Sequence, residues 1–466
     1  MKQSIQIIAR TVEVEKDSVD TEQINTELNV LSGRAAGVCY SADDYYTIRE
    51  QGEEKALTRA NSTAQRVHNS VFEHGHITFM LETNKAMAMI LNSMGVYTTS
   101  EKSARYTIMK PETELEQTLY SKWIKKVQEL ILDKYPDFDD HTLDIALSKI
   151  DDGKYEGRMT VIKGKLVLLE RDDIDEITDE DIHILNDALT EAKASTTLPS
   201  YKMAMENARY MISVFTPTKM VYTVSFSEAQ IITILFDKLI QDCDKLKENN
   251  EYYRKLQPYV IEFNELFKEA IGEIKVTDNK NRKVRFLENC YAQYGVNKVR
   301  EFRDSYCTTY LGSFAMLAQA QRHRTLRYSM FVPELKNVEF YVPHIVTAYG
   351  LEDEWLNDIK SVAECIPQGL MVRITEQGTF EDFVLKCKER LCGRAQLEIA
   401  EQTERTVREF FNNRKYLCDN NKALLENMID TIGYNDCEVR ARCKFNDFTC
   451  REGCTWGSKW ALKRLI

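Results

Sequence analysis

Proline and glycine are scarce in this 466-residue chain, 8 and 18 residues respectively, which excludes collagenous, proline-rich and low-complexity architectures. No apolar run approaches the roughly 18 residues needed to span a bilayer, so no membrane partner is expected. The opening segment MKQSIQIIARTVEVE lacks the basic start, long apolar stretch and small-residue cleavage site of a secretory signal, and alternates like a strand. Positive charge is in deficit: 62 Lys and Arg face 73 Asp and Glu, a formal net charge of −11. A nucleic-acid duplex would be repelled on average, so no nucleic-acid partner is expected and an anionic ligand must be gathered by a local basic pocket. The G-x-G-x-x-G, P-loop, G-x-S-x-G and H-E-x-x-H patterns are also missing, which removes the usual support for dinucleotide-fold, nucleoside triphosphatase, serine hydrolase and zincin readings.

What is present describes a folded protein. Apolar residues make up 43% of the chain, and its length points to two domains, each able to bury most of its apolar surface. The 12 cysteines without a secretion signal are read as reduced thiols, which places the chain in the cytoplasm. Cys437, Cys443, Cys450 and Cys454 are spaced more widely than the C-x-x-C pairs of a zinc site. No metal is therefore assigned, and a structural zinc there is the lesser alternative.

Hydrophobic periodicity lays out the elements. A helix is expected over Thr21–Leu31, a long charged helix over Tyr45–Phe72, a strand in HGHITFMLET, and helices over Lys85–Leu91 and Leu115–Leu132 with a Ser/Thr/Tyr-rich loop between them. An acidic insertion, about 133–187, holds two short apolar runs around Lys163–Gly164 that read as a hairpin. The extended segment TKMVYTVSF and a long helix from Ser227 follow, and 272–285 is the most polar candidate linker. Beyond it the order partly repeats. DSYCTTYLGSF is a strand, Ala315–Arg324 a helix, EFYVPHIV extended, and MVRITEQG a strand leading into one helix from Phe380 to about Phe411. This succession suggests an internal duplication, with copies at 1–275 and 276–466.

Two basic clusters stand out. Arg322, His323 and Arg324 are consecutive near a helix end, a solvated patch or an anion site in equal measure. In KERLCGRAQLEI, a continuous helix would set Arg390 and Arg394 one turn apart beside a buried stripe of Phe383, Cys387, Leu391, Ala395 and Ile399. Arginine's planar fork suits phosphate or paired uracil-type carbonyls. His344, after Pro343, is read as structural.

Arg322-His323-Arg324, preceded by Gln319, and Arg390 followed by RAQLEI resemble the signature regions of flavin-dependent thymidylate synthases. The first half resembles the same family at other places: RAAGVCYS, HNSVFEHGHITFMLE from His68, SEKSARY from Ser100 and ENARYMISVFTPTKMVYTVSF from Glu206. The resemblance implies an α+β fold in two fused copies, each a central, mostly antiparallel sheet with long helices.

The family's site residues divide between the copies. Aligning SEKSARY to the motif puts Ser93, Met94 and Gly95 where the first copy should have its RHR, while Glu101, Ser103 and Arg105 keep the nucleotide-binding Glu-x-Ser-x-Arg. The second copy keeps RHR but has Met330, Val332 and Glu334 at the other three places. Arg209 matches the phosphate-side arginine only in the first copy, where Phe236 stands at the uracil-side position; Arg390 supplies that arginine only in the second. His68, Ser70 and Glu73 match the flavin-contacting segment, against Asn297, Val299 and Phe302. Complementary losses imply one composite site.

By this resemblance Arg322, Arg324 and Arg390 are catalytic, and Glu101, Ser103, Arg105, Arg209, Gln319 and Arg390 bind the substrate. His68, Ser70, Glu73, Arg322, His323 and Arg324 hold the cofactor. The implied reaction converts dUMP to dTMP with FAD, with methylenetetrahydrofolate and NADPH as co-substrates, in a homodimer that forms a pseudo-tetramer. A departure stands against it. The family's Asn and Arg near the flavin phosphates are Ser225 and Ser227 in one copy and Thr379 and Glu381 in the other. The alternatives are a pyrimidine-nucleotide hydroxymethylase or other one-carbon transferase, a non-catalytic nucleotide-binding paralogue and, last, a nucleic-acid module.

Overall fold

The computed structural model describes residues 3–10, 24–40, 45–65, 69–94, 97–104, 107–150, 159–169, 178–195, 198–272, 305–322, 326–448 and 463–466. Most of the candidate linker at 272–285 lies outside them.

Strand β1 (Ser4–Arg10) is followed by helix α1 (Ile24–Tyr40). The single helix expected over Tyr45–Phe72 is instead two, α2 (Tyr45–Glu50) and α3 (Glu53–Gln65), with a 3-10 turn at Asn69–Glu73. Gly52 separates the two helices at φ +90°, a conformation that glycine adopts without strain and a helix cannot continue through.

Strand β2 (His76–Asn84) runs directly into α4 (Lys85–Leu91). The Asn84 side chain accepts from Met87 N at 2.9 Å and so starts the helix. The Ser/Thr/Tyr-rich loop after it contains a strand, β3 (Tyr97–Glu101), which suits its aromatic and β-branched residues.

Helix α5 (Glu114–Lys134), helix α6 (Asp140–Ile150), the hairpin β4 (Met159–Ile162) and β5 (Lys165–Leu168), and helices α7 (Asp179–Ser195) and α8 (Pro199–Ala208) come next. Strand β6 (Pro217–Ser225) leads into α9 (Phe226–Leu246) and α10 (Glu251–Ile271).

The second half holds β7 (Ser305–Ser313), α11 (Phe314–Gln321) and β8 (Arg327–Phe331), then α12 (His344–Ala348), α13 (Glu352–Ser361) and β9 (Met371–Thr379). EFYVPHIV is thus extended only in its first part. The single helix expected from Phe380 is broken into α14 (Phe380–Arg390) and α15 (Leu397–Asn412). Gly393 lies in the break, where the buried Arg464 guanidinium donates to the Gly393 and Ala395 carbonyls, so carbonyls freed by ending a helix are satisfied by a side chain instead of a further turn. Arg390 and Arg394 are therefore not one turn apart. Helix α16 (Asp419–Glu426) and the hairpin β10 (Ile429–Gly433) and β11 (Asp436–Val439) follow. The molecule is a mixed α+β protein, and none of its described helices is long and apolar enough to cross a membrane.

The chain separates into two compact units, each discontinuous in sequence. The first comprises Met1–Lys102, Val214–Glu339 and Met371–Phe383. It holds two antiparallel sheets, β1-β2-β6-β3 and β7-β9-β8. In both, a central strand, β6 or β9, belongs to the later part of its half, and a helix starts where that strand's earlier partner, β2 or β7, ends. His76 pairs with Ser225 as Ser305 pairs with Thr379, and Thr98 and Arg327 each pair two residues before those partners, with Thr223 and Gln377. The offset is the same in both strands, 229 residues (305 − 76 and 327 − 98).

The second unit comprises Ser103–Ser213, Phe340–Leu370 and Val384–Ile466. Trp123 and Trp355, both fully buried, meet edge to face at 4.7 Å, and their indole N–H groups donate to Asp358 and the Tyr341 carbonyl. The insertion, together with the rest of α7, carries a small core of Leu143, Leu147, Val161, Leu189 and Ala192. Its hairpin forms where expected. Lys163 and Gly164 have φ +51° and +69°, the two left-handed residues of a type I′ turn. The Asp140 carboxylate accepts from both of their amides, at 2.7 and 2.8 Å. Asp140→Ala should therefore cost about 1–2 kcal/mol, two backbone donors losing a charged acceptor at a partly wet site, read as a lower urea midpoint.

His344, assigned a structural role, pairs through Nε2 with Glu401 Oε2 at 2.8 Å, and that hydrogen bond raises its imidazole above the ordinary 6.5. A raised folded value means that the pair's contribution is complete below pH 6.5 and is lost as pH rises through the folded value. The urea midpoint should fall over that interval in the parent protein, and His344→Gln should remove this part of the slope.

Candidate functional site

In the first unit, α4 and α11 begin with the same device. The Ser313 side chain accepts from Met316 N at 3.0 Å, as Asn84 does from Met87 N. Both helices are almost wholly buried. Their ends bring the two halves of the sequence together. Gln321 Nε2 donates to the Met89 carbonyl at 3.3 Å, and Arg322 Nη2 donates to the Glu101 carbonyl at 3.1 Å. Arg322 is otherwise exposed and makes no ion pair with a carboxylate among the described residues. Gln319 is buried on the same helix.

Glu101 ends β3 and sits in a polar nest. Lys85 Nζ lies 2.5 Å from its Oε1 and 2.8 Å from the Lys102 carbonyl. Thr218 Oγ1 donates to Oε1 at 3.4 Å, and Asn92 Nδ2 reaches Oε2 at 3.5 Å. The Lys85 and Glu101 side chains are 9% and 8% exposed, so this is a largely dehydrated ion pair that needs such supporting hydrogen bonds.

In the second unit, Arg209 follows α8 in a 3-10 turn and is buried. Its Nη2 donates to Gln396 Oε1. The Gln396 amide donates in turn to the Tyr210 hydroxyl and to Glu398 Oε2, and Tyr210 donates to the same oxygen at 2.9 Å. Burial, then the Glu398 carboxylate, hold the Tyr210 phenol well above its ordinary value. An arginine, an amide, a phenol and a carboxylate thus form one buried chain, which fixes the guanidinium's orientation. Arg390, at the end of α14, is also buried in this unit, whereas Arg394 is exposed.

Ser103 is half-buried and Glu73 exposed, while Ser70 lies in the 3-10 turn. His68, Arg105, His323 and Arg324 lie outside the described residues. Of the cysteines, Cys437 is buried and Cys443 half-buried. Burial raises the Cys437 thiol, and Cys450 and Cys454 also lie outside the described residues. No group of three metal-ligating side chains occurs among the described residues.

Ser225 and Thr379, which stand where the resemblance expects flavin-phosphate ligands, are helix caps. Ser225 Oγ accepts from Glu228 N at 3.1 Å, and Thr379 Oγ1 accepts from Asp382 N at 3.1 Å.

Sequence reasoning missed Lys85, Asn92, Tyr210, Gln396, Glu398 and Arg464. Lys85 carried a signal, a lone cation opening the apolar helix KAMAMIL, as did Gln396 and Glu398 inside RAQLEI. Arg464 carried none.

Residues 25–235 match the family described as thymidylate synthase complementing protein. No curated protein matches the chain. Among solved structures, the thymidylate synthase X of Helicobacter pylori, crystallised with FAD and dUMP, is similar at 13% identity over 58% of this chain and 100% of that one. The TM-score is 0.23, too low to carry an argument about this fold.

Proposed function

We infer from the match of residues 25–235 to the thymidylate synthase complementing protein family that the chain is a flavin-dependent thymidylate synthase. In this reading it converts dUMP to dTMP with methylenetetrahydrofolate, FAD and NADPH, at one composite site per chain drawn from two diverged copies of one fold.

The observation that carries the reading is the hydrogen bond from Arg322 to the Glu101 carbonyl, which joins the later copy's basic triplet to the earlier copy's Glu-x-Ser-x-Arg segment. The equal offset of 229 residues in the two sheets supports the duplication. It sets Ser93 opposite Arg322 and Met330 opposite Glu101, so neither copy alone has both groups.

The donor set suits an anionic, electron-rich ligand. Arg322 presents an exposed fork whose only hydrogen bond among the described residues goes to a carbonyl, and such a cation stabilises charge developing on a pyrimidine or flavin ring. Bound reduced flavin would supply the hydride. The chain's own task is to hold the pyrimidine against it and exclude water. By resemblance, Ser103, Arg105, Arg209 and Gln319 take the phosphate, Glu101 the sugar and Arg390 the uracil, while His68, Ser70, Glu73, His323 and Arg324 take the flavin with Arg322. No thiol is assigned a part. The same likeness makes the working assembly four copies, which two chains supply, and the reading of the cysteines as reduced thiols puts it in the cytoplasm.

One observation favours a second reading. Because Ser225 and Thr379 use their hydroxyls on helix N-termini, the flavin phosphates need other ligands, and altered one-carbon chemistry such as hydroxymethylation would fit that change. Product analysis from labelled methylenetetrahydrofolate separates the two. The first test is an absorption spectrum of the purified protein. Flavin bands that shift on addition of dUMP are expected, and a colourless protein that takes up neither FAD nor dUMP would remove the proposal.

A further inference from the structure

We infer that Lys85 is a positioning residue of the nucleotide site, compensating the charge of Glu101 and turning that carboxylate so that Oε2 is offered to a ligand hydroxyl. The inference rests on the function proposed above.

A lysine at the first position of a helix faces the positive end of the helix dipole, and lysine is rarely buried unless paired. Lys85 does both, with a side chain 9% exposed, so local helix stability is not its reason. Its ammonium is used on Glu101 Oε1 and the Lys102 carbonyl, two acceptors on one short stretch, and so it fixes both the carboxylate's rotamer and the backbone that carries it. Thr218 adds a second donor on Oε1. Among the described residues Oε2 receives one long contact, from Asn92 at 3.5 Å, and a carboxylate oxygen has capacity for more.

The later copy supplies an internal comparison. At the shared offset of 229 residues, Phe314 stands where Lys85 is and Met330 where Glu101 is, both buried. Cation and carboxylate are absent there together, replaced by an apolar pair, as expected if the lysine is present on account of the carboxylate. Without Lys85, the Glu101 carboxylate would be a dehydrated negative charge beside the position proposed for a phosphate-bearing anion, repelling it. With Lys85, the pair is neutral and the Arg322 cation sets the sign.

The test uses the full chain and dUMP. Lys85→Met should raise the dUMP Kd and KM about tenfold or more, with kcat at saturating dUMP within about threefold of the parent. Lys85→Arg, which keeps the charge, should recover most of the loss. In the double variant Lys85→Met/Glu101→Gln the two losses should not add, and dUMP should bind within about threefold of Glu101→Gln alone, because Lys85 acts only through that carboxylate. A folded Lys85→Met that binds dUMP as the parent does would overturn the inference, as would a folded double variant that binds dUMP about tenfold more weakly than Glu101→Gln alone. If Lys85→Met fails to fold, the comparison of the double variant with Glu101→Gln decides alone. A parent protein that does not bind dUMP sinks the proposed function instead.

Discussion

Arg322→Ala is expected to lower kcat/KM for thymidylate formation by roughly 10²–10³-fold, the cost typical of removing one preorganised group that stabilises developing charge. Two features make the effect large. In the proposed duplication Ser93 stands at the corresponding place of the other copy, so no second guanidinium is expected to substitute. The side chain is also exposed, with a single hydrogen bond among the described residues, to the Glu101 carbonyl, so little folding energy rests on it and the thermal midpoint should hardly move. Steady-state kinetics together with a melting curve separate the two effects. A variant that keeps more than about a tenth of parental activity would mean that Arg322 lies outside the reacting site.

Arg209→Lys should lower kcat/KM for dUMP by roughly 10–100-fold, mostly through KM. Lysine keeps the charge but loses the planar fork, one arm of which is fixed on Gln396 while the rest is proposed to meet phosphate. Binding energy remote from the reacting carbon appears first as affinity. The same substitution removes the link from the guanidinium to Gln396, while the hydrogen bonds among Gln396, Tyr210 and Glu398 stay in place. A KM unchanged in a folded Arg209→Lys protein would remove Arg209 from the substrate site.

Much of the fold was legible because its signals are local. Strands β2, β6, β7 and β9 alternate in sequence, and the Lys163–Gly164 turn announces itself by its residues. The errors arose where one residue overrode a long period. At Gly52 the continuous amphipathic pattern of 45–72 breaks, at a cost in periodicity too small to see. At 391–396 the apolar stripe runs on unchanged, and Phe383, Cys387, Leu391, Ala395 and Ile399 are all buried. The helix nevertheless stops at Arg390, and Arg464, some seventy residues away, donates to the Gly393 and Ala395 carbonyls within the break. A partner that distant leaves no mark in a window of sequence.

The proposed site rests on residue types that the sequence offers, and its supports are not visible there. Arg322, Glu101, Arg209 and Arg390 could be singled out by likeness to a family. Side chains that hold them, Lys85 on Glu101 and Gln396 on Arg209, depend on elements that only folding brings into contact. Ser225 and Thr379 show the reverse case, positions with an expected ligand role whose hydroxyls the fold uses to start α9 and α14.

The most direct measurement is the stoichiometry of flavin and nucleotide in the purified full chain, flavin by absorbance after release and dUMP by titration into the loaded protein. A composite site drawn from two copies predicts one FAD and one dUMP bound per 466-residue chain. Two of each per chain would mean that both copies kept complete sites, and none of either would mean that the basic triplet and the acid-serine-arginine segment serve no thymidylate chemistry.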